Sequence, residues 1–292
     1  MSMELVHFSD CGGFRSTNQD AYCIRIARGP AGLFALLAVC DGMGGLKHGE
    51  VASAAAVSAF ETWFDVQLPL LLQNGFSAQA LRTGWETLLQ DVHGRICRYA
   101  RDNRLRTGTT VSAVLLTAGQ YYLMQVGDSR IYLDDLSAGS AAQVTVDQTL
   151  AMRELLAGRI TAAQFAGDSR RSILLQCVGD RSVAPVFQTG ELPERGACLV
   201  CSDGFCHFLT PEGLHEVLGC PPGRAALQQG LVGLGNTARS LGERDNMTCA
   251  ALRWDKFEAA PSETQSLSPD PEAQEGLDVL AKVSYKNSEI TL

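Results

Sequence analysis

Apolar and polar positions along the body of this chain follow two different periods, and the change between them marks out the elements. Leu5 to Phe8, Ala21 to Ala27, Leu33 to Val39, Thr110 to Leu116, Tyr121 to Val126 and Ile131 to Leu133 are short runs rich in β-branched, aromatic and aliphatic residues. They predict strands. Gly119-Gln120 between two of these runs predicts a hairpin turn and hence antiparallel neighbours. Leu33 to Cys40 is apolar on both alternating faces, which predicts a central strand covered on both sides.

Elsewhere the period lengthens to that of a helix. Glu50 to Phe64 is Ala-rich, and Ser77 is placed to cap a helix on which Leu81, Trp85, Leu88, Val92, Ile96 and Tyr99 recur every three or four residues. Thr210-Pro211-Glu212 predicts another helix start, with the hydroxyl as cap and proline in the first turn, and a further helix is expected through Ala225 to Leu241. Strands, two helices, more strands and two more helices imply an α+β fold: an α/β/β/α sandwich of two mainly antiparallel sheets flanked by helix pairs.

Two segments fall outside this pattern. Asp147 to Ser172 holds a short amphipathic stretch, Leu150 to Leu156, then Gly158 and the turn-prone Thr161 to Ser169. It predicts a small mobile flap ahead of a strand near Leu174 to Cys177. From Phe257 the chain is rich in Pro, Ser and acids without apolar period, so residues 1–256 are expected to form the catalytic domain and 257–292 an acidic, disordered tail. Within the tail only Leu277 to Val283 has the composition to dock on a partner or on the body. If it is a mere tether, cutting after Phe257 leaves activity intact.

With 292 residues and 46% apolar content, the chain can bury a large single core. The net charge of −8 and the scattering of Lys and Arg argue against a nucleic-acid partner. Residues 257–292 carry seven acids against Lys282 and Lys286, so −5 of that charge lies in the tail. Ten cysteines, with neither a short secreted chain nor an apolar leader at Met1 to Asp10, predict reduced thiols in the cytoplasm. No apolar run approaches the roughly 20 residues that span a bilayer.

The chemistry is expected in acidic motifs: Arg15-Ser16-Thr17-Asn18-Gln19-Asp20, Asp41-Gly42-Met43-Gly44-Gly45, Val126-Gly127-Asp128-Ser129-Arg130, Cys201-Ser202-Asp203-Gly204 and Asp245-Asn246. Most of these aspartates end an apolar run, so they should emerge where a sheet gives way to a loop. A lone Asp before Gly is ordinarily a turn residue. Several carboxylates gathered in one cleft repel one another unless cations join them. Hard oxygen donors without His or Cys suit Mg²⁺, Mn²⁺ or Ca²⁺, and two such ions roughly 3.5–4 Å apart hydrolyse phosphate esters. A metal-dependent phosphohydrolase follows.

Other features carry less. Cys198 and Cys201, with Cys206 and His207 downstream, have zinc-like spacing, but strand residues three apart point to opposite faces. His48 reads as an exposed loop histidine, and Trp63 and Trp85 as packing on helix faces. Gly42 to Gly45 lacks the P-loop form. No Cys is followed at the right distance by the Arg of a cysteine-nucleophile phosphatase.

In order, spacing and flanking residues, the motifs resemble the PP2C-type metal-dependent serine/threonine protein phosphatases (PPM family), bacterial subgroup, over roughly Leu5 to Arg253. The resemblance implies that two Mn²⁺ or Mg²⁺ ions activate a hydroxide against phosphoserine or phosphothreonine. Asp41 would bridge the ions with the Gly42 carbonyl on one of them, and Asp203 and Asp245 would hold the other. Asp20 would hold waters behind the metals, Asn246 would fix Asp245, and Asp128 with Asp203 would bind a weaker third metal. Arg15 matches the phosphate-binding arginine, whose planar guanidinium can grip two oxygens. Gln19 stands where some animal members have an acid, and Met43 where they have a histidine that can donate a proton. The implied partners are phosphoprotein substrates and a cognate Ser/Thr kinase, in signalling or secretion-system control; the chain is read as a monomer.

Overall fold

The computed structural model describes residues 3–29, 31–43, 48–257, 277–288, 290 and 292. The first half of the chain runs β1 (Met3–Asp10), β2 (Asp20–Gly29), β3 (Gly32–Met43), α1 (Gly49–Thr62), α2 (Leu68–Gln73) and α3 (Ala78–Asp102). It continues through β4 (Gly108–Thr109), β5 (Val111–Thr117), β6 (Gln120–Val126), β7 (Arg130–Asp135) and β8 (Ala141–Gln143). Next come α4 (Leu150–Leu156), α5 (Ala162–Ala166), a 3₁₀ turn (Ser169–Ser172), β9 (Val186–Glu191) and β10 (Gly196–Cys201). The chain ends with α6 (Asp203–Cys206), α7 (Pro211–Leu218), α8 (Arg224–Ser240), β11 (Met247–Trp254) and β12 (Asp278–Tyr285).

The strands form two sheets, ordered β1-β11-β10-β7-β8 and β12-β2-β3-β5-β6-β9, with β4 pairing off the second path onto β3. Neighbouring strands run antiparallel. Strand β3 shows why the sheets stack. Phe34, Leu36, Ala38 and Cys40 face a core shared with α1 and α3, whereas Leu33, Ala35, Leu37 and Val39 face a second core between the sheets. A third core fills the space between the other sheet and α7 and α8. The expected α/β/β/α layering is therefore present.

Local signals act as expected at several points. The Ser77 hydroxyl accepts from the Ala80 N–H at 3.2 Å, and Thr210 caps α7 with Pro211 behind it. Gly119 turns the β5–β6 hairpin at φ 78°. Pro69 lacks the N–H that would bond back into the preceding turn, and Trp63–Gln67 widens into a π turn there. Among the described residues no helix is long and apolar enough to cross a membrane.

The structure corrects three expectations. Residues 278–285 are a strand on the edge of the second sheet, in register with β2 from Asp278↔Arg28 to Tyr285↔Tyr22, so this part of the tail is ordered. Residues 258–276, the Pro/Ser/acid stretch, lie outside the described residues. Leu174–Cys177 is not a strand: Leu174 makes an isolated bridge to Thr149, and the pairing partner of β6 is β9. The turn-prone residues after Gly158 form α5, which Thr161 and Gln164 start with a reciprocal capping box.

The helix-side core closes on Trp85, fully buried with Phe60 and Trp63 edge-on at 5.5 and 5.4 Å. Trp85→Ala should lower unfolding stability in urea by about 3–5 kcal/mol, the usual range for emptying an aromatic site in a core. A loss under about 1 kcal/mol would mean that the site collapses and α3 is not fixed by this ring.

Candidate metal centre

The five aspartates singled out in the sequence reach one end of the two sheets. Asp20 opens β2 directly opposite Asp41 near the end of β3. Asp203 follows β10, whose last residue Cys201 pairs with Arg130 of β7 and Cys249 of β11. Asp128 sits in the turn from β6 to β7, and Asp245 just ahead of β11. Antiparallel pairing thus gathers residues far apart in sequence into one acidic cleft.

Each acid is held by a different device. The Asp41 N–H donates to the Thr110 hydroxyl at 2.9 Å, and its carbonyl accepts from the Thr109 hydroxyl at 3.0 Å and the Thr110 N–H at 2.9 Å. Ser129 meets the Thr110 hydroxyl at 2.7 Å, which ties the third motif to the second. A Cβ on Gly42 would overlap the carbonyls of Gln19 and Gly49, so glycine alone fits where the backbone threads between them. Gly44 and Gly45 lie outside the described residues.

Asp20 is fully buried; its Oδ2 accepts from the Ser202 hydroxyl at 2.8 Å, and its Oδ1 has no partner among the described residues. The Oδ1 of Asp203 is likewise buried and unpartnered there. Burial, followed by the neighbouring carboxylates, pushes Asp41 and Asp128 well above the usual range and raises Asp203. Asp20 is pushed up to about 7, mainly by burial and partly by Asp203 and Asp245. A cluster of carboxyl groups that resists ionisation together is short of positive charge.

Arg15 supplies some of it. Its Nε and Nη2 grip both oxygens of Asp245 at 3.1 and 2.8 Å, with the two side chains 48% and 40% exposed. The arginine therefore stands at the cleft mouth beside the acids, where an incoming anion can compete for it.

Sequence reasoning missed His207, Glu243 and Arg130 as supporting groups, and it took Asn246 only for its hold on Asp245. His207 lies 3.5 Å from Asp203 and 2.7 Å from Glu243, whose other oxygen accepts from the N–H groups of Arg244 and Asp245. The Glu243 hydrogen bond, reinforced by Asp203, raises His207 to about 9. Asn246 does more than attend Asp245: its N–H donates to that carboxylate at 2.9 Å, while its side chain holds the carbonyls of Cys11 and Thr17 and the N–H of Gln19. Arg130, read only as part of a motif, grips Asp147 with two bonds of 2.9 and 2.7 Å and anchors the start of the flap. Apart from His207 on Asp203, four residues away, Glu243 on Arg244 and Asp245, and Asn246 on its neighbour Asp245, these ties span distant positions and leave no local pattern.

Met43 lines a cavity of about 460 Å³ with Leu105, Gly108, Leu174 and Cys177, on the flap side of the cleft. The thiols stand apart from the chemistry. All ten cysteines are free, and Cys198 and Cys201 belong to different cores, which bears out the reading against a shared zinc.

The Protein phosphatase 2C family model matches residues 15–219. The chain belongs to that family. Serine/threonine protein phosphatase PstP of Mycobacterium tuberculosis is 30% identical over 221 residues, covering 73% of this chain but 38% of PstP, so the chain spans well under half of that relative. The solved serine/threonine phosphatase of S. agalactiae superposes with a TM-score of 0.74 at 26% identity, covering 86% of this chain and 99% of its own. The catalytic domain of PstP in complex with two manganese ions superposes with a TM-score of 0.67 at 27% identity, covering 86% and 97%.

The acids of this protein phosphatase 2C chain fit divalent ions held largely through water. Among the described residues no three His, Cys, Asp or Glu side chains close on one point as a complete cage. Mg²⁺ does not require one, since it keeps several waters and takes one or two carboxylates. The unpartnered oxygens of Asp20 and Asp203, all-oxygen donors and shared excess of negative charge suit such ions.

A pH dependence follows. Folded Asp20 keeps its proton up to about 7, against an ordinary 3.8, so its contribution to stability is complete below 3.8 and lost as pH rises through 7. In chelator, the thermal midpoint should fall between about pH 4 and pH 7, and Asp20→Asn should flatten that fall. Mn²⁺ should restore the midpoint at the upper end by binding the folded state. Equal slopes for the two proteins would show that Asp20 ionises freely in the fold.

Proposed function

We propose that this chain hydrolyses phosphoserine and phosphothreonine in proteins with the help of two divalent ions, Mn²⁺ or Mg²⁺. The observation that carries the reading is the convergence of Asp20, Asp41, Asp203 and Asp245 on one cleft beside the Arg15 guanidinium, in a chain of the protein phosphatase 2C family. Asp41 and the Gly42 carbonyl, with Asp203 and Asp245, would hold the two ions; Asp128 and Asp203 would hold a weaker third. When bound, the pair would lower the pKa of the attacking water and offset charge on the phosphoryl oxygens.

The residues of the chain do the rest. Arg15 leaves Asp245 for the phosphate, which it grips with two parallel hydrogen bonds and aligns with the attacking oxygen. Asp20, behind Asp41, accepts from Ser202 and stays fixed by burial. Burial raises the thiol of Cys40, beside the site, far above its ordinary range, so it is no nucleophile and attack comes from water. Met43 has no proton to give, so the departing serine or threonine oxygen takes one from the solvated cleft and the acid limb of the pH profile is shallow.

The flap over 147–172, moored by Arg130 and by the Thr149–Leu174 bridge, borders the cleft and would select among phosphoproteins. Its opponent would be a Ser/Thr kinase in a signalling or secretion system. Ten free thiols support a reducing, cytoplasmic setting, and the chain is read as a monomer.

The test is phosphate release from a phosphothreonine peptide with Mn²⁺ and then with chelator, for the wild type and Asp203→Asn. Release should require the ion and fall more than about 100-fold in the variant, beyond the loss typical of groups that merely support a ligand. Peptide binding without release under any divalent ion would point to a phosphoprotein-binding scaffold. Faster release from nucleotides than from the peptide would point to a small-molecule phosphohydrolase.

A further inference from the structure

The segment ahead of Asp20 is fastened carbonyl by carbonyl, and the fastenings come from four other parts of the chain. The Thr17 carbonyl accepts from the Asn246 side chain at 3.2 Å, at the start of β11. The Gln19 carbonyl accepts from the Ser53 hydroxyl on α1 at 2.6 Å and from the Gly42 N–H at 3.1 Å. Between them, the Asn18 carbonyl accepts from the Asn287 side chain at 3.0 Å, just past the end of β12. Asn18 has little freedom to adapt. It is 6% exposed, its Nδ2 donates to Ser9 at 2.9 Å, and its Oδ1 accepts from the Asp20 N–H at 3.1 Å.

The segment that delivers Asn287 is itself firmly docked. On one face of β12, Ala281, Val283 and Tyr285 pack against the core between the sheets, and Tyr285 stacks on Tyr22 at 6.3 Å. On the other face Lys282 reaches Asp65 at 2.7 Å and Lys286 reaches Glu61, which also binds Arg25 at 2.6 Å. Strand β12 also covers the edge of β2 that would otherwise expose a row of backbone groups. Beyond it, Arg95 of α3 donates to the Leu292 carbonyl at 3.1 Å.

We propose that residues 277–288 are a strap that positions the active-site loop, with Asn287 acting through the Asn18 carbonyl on Arg15 and Asp20. It rests on the reading of Arg15 and Asp20 given above. Asn287 is a positioning residue: it touches neither phosphate nor ion, and it removes alternative placements of a loop whose tip carries the guanidinium.

The experiment compares Asn287→Ala, the isosteric Asn287→Asp, which lacks the amide donor, and Lys282→Ala. The last loosens the far end of the strap without contact to the loop. Both Asn287 variants should raise the KM for a phosphothreonine peptide and the inhibition constant of inorganic phosphate by about 2- to 10-fold, the equivalent of one hydrogen bond. Lys282→Ala should leave both near wild type while lowering the thermal midpoint comparably. Amide hydrogen exchange of residues 11–19, read in chelator, should quicken in the Asn287 variants alone. Unchanged exchange in Asn287→Asp overturns the strap, and so does an equal change in Lys282→Ala or an unmoved phosphate constant. Exchange needs no turnover, so a wild type without phosphatase activity would overturn the functional reading and leave this arm decisive.

Discussion

Mutual repulsion among buried carboxyl groups is the constraint around which this molecule is organised. Asp20 and Asp41 face each other across adjacent strands, and Asp128, Asp203 and Asp245 come within electrostatic reach from three other strand ends. The arrangement is costly in itself. It persists because the framework on either side is rigid: three apolar layers hold the strands, and hydroxyls of Thr109, Thr110, Ser129 and Ser202 fix the backbone and side chains of the acids. These hydroxyls orient without neutralising. The charge deficit is left for cations, and the exposed Arg15 guanidinium on Asp245 offsets part of it.

The division of labour between core and cleft explains which parts could be read from the chain. Periodicity reports burial, so Leu33 to Cys40 was legible as a central strand, and the face of α3 was legible but for two positions: Leu89, not Leu88, is the fully buried member, and Tyr99 is only half-buried. Caps act over three residues, so Ser77 and Thr210 announced their helices. The aspartates were legible as a set because family order supplied what no single Asp-Gly pair could.

What escaped notice was non-local. His207 meets Glu243, Asn246 meets Thr17, and Asn287 meets Asn18 only after the sheets have formed. Strand β12 was read as tail because it follows a Pro/Ser/acid stretch, holds Lys282 with Lys286 just beyond its end, and is half-buried or exposed along its length. Its lysines are informative only once Asp65 and Glu61 lie beneath them. Strand β9 hid for a similar reason: most of its residues are half-buried or exposed, and its apolar content is slight.

The Arg130–Asp147 pair has a consequence for how such an enzyme can diversify. Arg130 belongs to the same motif as Asp128, yet its guanidinium is spent on the first residue of the flap. A second mooring, the bridge from Thr149 to Leu174, closes the excursion on its far side. Everything between those moorings is therefore a cassette, free to change length and sequence while its attachment points stay fixed to the scaffold. Under the function proposed above, exchange of that cassette would shift substrate preference without rebuilding the hydrolytic centre.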